Sequence, residues 1–153
     1  MSAEERLHEL GIELPPAPQP VASYVPVSLS GGLAYVSGQI PMSEGKLMWT
    51  GKLGENLDMA EGAAATKRCA LQALAAIRSE LGSLDRVKRI VRVGVFVVSA
   101  SGFTDQSKVA NGASDLLVEV FGDAGRHARI AVGVPELPLG SPVEVEVLAE
   151  IVS

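Results

Sequence analysis

From His127 to Ile151 the chain sets valines at alternate positions on either side of a segment stiffened by three prolines, and few architectures accommodate that arrangement. Ile130, Val132 and Val134 alternate with Arg129, Ala131 and Gly133. Beyond the prolines, Val143, Val145 and Val147 alternate with Glu144 and Glu146. A period of two belongs to a strand with one buried face, so both runs are expected to bury valine and turn their polar residues outward. Pro135, Pro138 and Pro142 lack a ladder donor and, with Gly140, confine the connection to residues 135–142. The simplest expectation is a hairpin with coincident valine faces. Val134 would then lie opposite Val143 and Gly133 opposite Glu144, with Arg129 about four residues, on the order of 13 Å, along the sheet from Glu144. Those two charges could not meet within one chain, and a site needing both would lie between subunits.

A chain of 153 residues supports one domain with a real core. No apolar run approaches the roughly eighteen residues that span a bilayer. The first residues, Met-Ser-Ala-Glu-Glu-Arg, contain no apolar signal core. The single cysteine, Cys69, excludes an internal disulfide, and a soluble cytoplasmic protein is expected. A net charge of −5 argues against binding along nucleic-acid backbones, which is driven by lysine and arginine displacing counterions. A small anion is a different matter, because one placed arginine can hold one carboxylate through paired hydrogen bonds.

Taken in order, Ser2 with Glu5 is a capping-box pattern opening a short helix edged by Leu7 and Leu10 and ended by Gly11. That helix and the proline-rich Glu13–Pro20 form an arm, residues 1–20, outside a globular domain of residues 21–153. Tyr24–Leu29 and Leu33–Ser37 read as strands joined through Gly31 and Gly32, with a weaker strand at Leu47–Trp49. Asp58 caps a helix reaching Leu81, where Gly82 stops it, and a second helix runs from Thr104 to Phe121. Between them, Arg89–Val98 is apolar on both faces and belongs inside a sheet. The sum is an α+β sandwich, a mixed sheet with two helices on one face. Two helices leave the other face for partner chains, which predicts a closed homo-oligomer.

Several segments then resemble the RidA/YjgF family of reactive-intermediate deaminases, also called the endoribonuclease L-PSP family, over residues 21–151. They are Ser37-Gly38-Gln39-Ile40-Pro41, Gly82-Ser83-Leu84-Asp85 leading into Val95-Phe96-Val97, Ala128-Arg129, and Leu137-Pro138 followed by Val143-Glu144-Val145-Glu146. The resemblance implies a chorismate-mutase-like fold, a homotrimer with clefts between subunits, and hydrolysis of enamines and imines such as 2-aminoacrylate to 2-oxo acids and ammonia. It implies that Arg129 binds the substrate carboxylate and Glu144 orients the attacking water. Tyr24, Ser37, Gly38, Asn111 and Ala131 would line the pocket, with neither cofactor nor metal. The chain departs from the family's pattern at Ile130 and Ala131, where a hydroxyl and a small polar residue are usual, and at His127, where proline is.

Blander roles stand beside these. Arg129 could be a structural ion-pair partner of Glu146 across an interface, Glu144 and Glu146 a solvated strand face, Tyr24 a packing residue, and Asn111 an ordinary polar helix position. His127, without an assignable serine partner, is expected at a rim or interface, and Cys69 is expected to pack. Two other functions compete with imine hydrolysis. One is a non-catalytic module holding a 2-oxo acid or similar carboxylate. The other is a ribonuclease, which the acidic composition and the lack of paired histidines disfavour.

Overall fold

The strand expected to be apolar on both faces, β5 (Val87–Val98), lies inside a five-stranded sheet whose order is β1-β2-β7-β5-β6. The other strands are β1 (Val27–Ser30), β2 (Leu33–Gln39), β6 (Ala128–Val134) and β7 (Val143–Ile151). Helices α2 (Met59–Leu81) and α3 (Gln106–Phe121) cover one side, and α1 (Ala3–Leu10) sits at the end of the layer. A two-residue hairpin, β3 (Met42–Ser43) with β4 (Lys46–Leu47), stands apart from the sheet. It replaces the expected strand at 47–49, where Trp49 packs against the core instead. The computed structural model describes residues 1–20 and 22–152. Val21 and Ser153, the expected first and last residues of the globular domain, lie outside the described residues.

The expected hairpin between β6 and β7 does not form, because β5 lies between them. β6 runs parallel to β5, with Gly94 opposite Ile130 and Val97 opposite Gly133, while β7 runs antiparallel on the other edge, with Val95 opposite Val145. Crossing over through α3 brings the chain back parallel to β5, and residues 135–142 then carry it past β5 to the far edge. Inserting β5 pairs both of its edges, so its backbone donors and acceptors are satisfied on either side. The valine faces therefore do not coincide. Val143, Val145 and Val147 are buried under the helices, but in β6 the helix side is Arg129, Ala131 and Gly133, level with Val93, Val95 and Val97. Ile130 is turned to the open side and stays 44% exposed.

Capping boxes set the starts of two helices. Asp58 Oδ1 accepts from the Glu61 N–H at 2.8 Å and Glu61 Oε1 from the Asp58 N–H at 3.2 Å, while Ser2 and Glu5 make the same exchange at α1. The short N-terminal helix is not a free arm. Leu7 is only 2% exposed and belongs to the core. Glu4 pairs with Arg78 at 2.6 Å and accepts from the Leu84 N–H at 2.7 Å. Hydrophobic spacing shows that α1 has an apolar edge, but not what that edge will cover.

Helices α2 and α3 meet unusually closely. Thr66 Oγ1 donates to the Val109 carbonyl at 2.8 Å and accepts from the Ala113 N–H at 3.1 Å. Gly112 makes this possible, because a Cβ there would fall inside the Ala63 carbonyl. Gly112→Ala is expected to cost roughly 3 kcal/mol, since overpacking outweighs alanine's advantage of about 1 kcal/mol in a helix. Urea unfolding with an unchanged midpoint would contradict this close approach.

The open side of the sheet carries Tyr35, Leu148, Phe96, Ile130 and Val132 with Arg92, Glu144 and Glu146 among them. Arg92 and Glu146 form an ion pair at 3.0 Å across β5 and β7. The face is thus mixed rather than wholly apolar.

Candidate active site

The expected site residues fall into two groups on different sides of the sheet. The first forms where β2 leaves the ladder. Pairing with β7 is irregular between Val36 and Gln39, so Ser37 and Gly38 bulge away. Ser37 is tied back by its hydroxyl to the Val25 carbonyl at 2.6 Å and by its N–H to the Pro26 carbonyl at 2.9 Å. Gly38 is pressed against Glu144, and a Cβ there would lie 2.5 Å from the Glu144 carboxylate. Tyr24, 56% exposed, stands with Ser37 and Gly38 around a cavity of about 700 Å³. It precedes β1 rather than belonging to it.

Glu144 is half-buried on β7, and its carboxyl pKa is raised, first by removal from water and then by the neighbouring charge of Glu146. Cys69, on α2, is fully buried and packs as expected. Its thiol is pushed well up by burial and by Glu144, with Arg68 opposing.

The second group surrounds Arg129. Its guanidinium donates through Nη1 to Asn111 Oδ1 at 2.8 Å and Ser114 Oγ at 3.1 Å, and through Nη2 to the Ser107 carbonyl at 3.3 Å. Every one of these acceptors is uncharged. Among the described residues no carboxylate lies within ion-pair distance of Arg129; Glu146, its supposed structural partner, is engaged by Arg92 of its own chain. Asn111 is thus a partner of Arg129 rather than an unattached polar position. Ala131 follows Arg129 two residues along on the same side of β6.

His127 does have a serine partner. Its Nδ1 lies 2.6 Å from the Gly125 carbonyl, which can only accept, so Nδ1 carries the proton; Nε2 then accepts from the Ser114 hydroxyl at 2.9 Å in the neutral ring. Ser114 in turn receives the Arg129 N–H, so its oxygen helps to orient the guanidinium. Spacing alone could have found part of this network, since Ser107, Asn111 and Ser114 stand four and three apart on one helix face.

Within one chain the two groups do not meet. Glu144 is level with Phe96 and, beyond it, Val132, while Arg129 lies three residues back on β6. Two strand spacings and three residues amount to roughly 14 Å, with the side chains on opposite sides of the sheet. The separation inferred from the hairpin thus holds, though through a different topology.

Residues 4–151 match the family described as "YjgF/chorismate mutase-like, putative endoribonuclease". Protein TCP17 of Trypanosoma cruzi is 51% identical, with 95% of this chain and 91% of the relative aligned. A crystal structure of an Agrobacterium tumefaciens protein of unknown function superposes with a TM-score of 0.90 at 44% identity, covering 98% of this chain and 92% of that one. A Shewanella oneidensis structure, described in the same endoribonuclease terms, superposes with a TM-score of 0.94 at 37% identity over 99% and 100% of the two chains.

Proposed function

The chain belongs to the RidA/YjgF family, and on that premise we propose that it hydrolyses small carboxylate-bearing imines and enamines, of the 2-aminoacrylate type, to 2-oxo acids and ammonia in clefts completed by neighbouring subunits of a homotrimer. The observation that carries this reading is an arginine held only by neutral acceptors, Arg129, set apart from a carboxyl of raised pKa, Glu144. Each is one half of a site for an anionic electrophile.

In that site Arg129 grips the substrate carboxylate as a fork, pre-oriented by Asn111 and Ser114. An imine carbon is already electrophilic, so positioning and proton transfer suffice. Glu144 takes a proton as water adds to that carbon and returns it to nitrogen. The carbon–nitrogen bond of the resulting carbinolamine then breaks, leaving a carbonyl and ammonia. An enamine enters the same sequence after protonation on carbon. Ser37 and Gly38 present backbone to the substrate, Tyr24 borders the mouth, and Ala131 lines the Arg129 side. Ribonuclease chemistry finds less support, with a net charge of −5 and both ring nitrogens of His127 already engaged.

Mixing Arg129→Ala chains with Glu144→Ala chains tests the shared cleft. Random reassembly into trimers restores about a quarter of the sites if each joins residues from two subunits. Two inactive proteins should therefore regain activity on mixing. No recovery from a correctly reassembled trimer, measured by light scattering, would overturn the shared site.

A further inference from the structure

The cavity beside Gly38 holds a cation that imine hydrolysis as described does not use. Arg68, on α2, lines it together with Tyr24, Ser37, Gly38 and Gln72. Its Nε donates to the Met42 carbonyl at 3.0 Å, which fixes the guanidinium plane, and among the described residues neither terminal nitrogen has a partner. The loop behind it is locked as well: Gln72 accepts from the Met42 N–H at 2.8 Å and donates to the Ile40 carbonyl at 2.8 Å. Glu44, the one carboxylate among the residues lining this cavity, makes no ion pair with Arg68. The remaining walls are largely apolar, with Pro15, Pro16 and Pro18 of the N-terminal segment closing one side. An anchored guanidinium with both terminal nitrogens free, in a pocket of mainly apolar walls, has the geometry of a carboxylate receptor.

We propose that Arg68 forms a second anion-binding site at the far end of the Gly38 cavity, and that the preferred substrates are dicarboxylic, namely 2-imino acids or enamines whose side chain ends in a carboxylate. This deepens the deaminase reading and rests on it. Arg129 of one subunit holds the carboxylate beside the imine, and Arg68 of the next holds the distal one. Arg68 takes no part in proton transfer; it is a specificity residue.

The test generates imines in situ with amino-acid oxidases, from alanine on one hand and from aspartate and glutamate on the other, and follows accelerated release of ammonia. Wild type is expected to favour a dicarboxylic imine over 2-iminopropanoate by about tenfold or more in kcat/KM. Arg68→Met should remove that preference while changing 2-iminopropanoate turnover less than about twofold, with Arg68→Lys intermediate because it keeps the charge but loses the fork. Equal rates on both classes, or an equal loss on both in Arg68→Met, would overturn the proposal. Calorimetric titration of the wild-type protein with oxaloacetate and with pyruvate needs neither turnover nor a folded variant. Tighter binding of oxaloacetate is expected, and equal affinity would overturn the second site. No accelerated hydrolysis of any imine, alongside tighter oxaloacetate binding, would remove the deaminase reading and leave a dicarboxylate-binding pocket.

Discussion

Arg129→Ala is expected to lower kcat/KM for a 2-imino acid by roughly 10²- to 10³-fold, through a rise in KM and a fall in kcat together. Truncating one partner of a desolvated, hydrogen-bonded charge pair costs about 2–5 kcal/mol, most of it felt where the carboxylate must be held in register with the attacking water. The fold should hardly notice. The groups that lose the guanidinium are Asn111, the Ser107 carbonyl and Ser114; the first two are exposed and can turn to water, and Ser114 keeps His127. Arg129→Lys keeps the charge but loses the paired donors and should recover only part of the activity. Unchanged steady-state kinetics in a folded Arg129→Ala protein would remove Arg129 from the site.

Glu144→Gln is expected to cut kcat by roughly 10²- to 10⁴-fold, the usual contribution of a placed acid–base group, with little change in the affinity for a 2-oxo acid. Turnover by this variant near the wild-type rate would exclude proton transfer at this position. The pH profile carries the same information. Burial raises the Glu144 carboxyl above its ordinary value of 4.5, so the acid limb of kcat/KM should lie above that value, with activity falling as pH drops through it. Stability moves the other way. With the folded pKa above the unfolded one, the folded chain binds the extra proton in the window between them, and stability is lost as pH rises through that window. Glu144→Gln should therefore melt slightly above wild type near neutrality, and the difference should vanish below the ordinary carboxylate value. A variant that is both inactive and less stable at neutral pH would contradict the partly desolvated carboxylate inferred for Glu144.

Helix limits were legible in the sequence because they are decided within a few residues. Asp58, Ser2 with Glu5, and Gly82 act on the backbone nearest to them, and each does so in the structure, where Glu61 completes the Asp58 cap. The interior position of β5 was legible for a related reason: a strand apolar on both faces tolerates neither face in water. The partners of β6 and β7 were not. Alternation says which residues share a side, but not which strand lies next to it, and the short loop made a hairpin the economical expectation. In β6 even the choice of side was misread, because the valines face away from the helices while Arg129 points toward α3.

The same division runs through the candidate site. Arg129, Glu144, Ser37 and Gly38 stand out by residue type and motif, whereas Arg68, Gln72 and Ser114 do not, being ordinary polar positions on long helices. Sequence by itself determined the helices, the interior strand and the mixed α+β class and singled out the candidate site residues, since each depends on local backbone preference or on the chemistry of one side chain. Only the tertiary structure decided the strand order, the docking of α1, the neutral cradle around Arg129, the pressing of Glu144 against Gly38 and the unpartnered terminal nitrogens of Arg68 in the cavity. Those are contacts between residues distant along the chain, set by how the whole sheet and its helices pack.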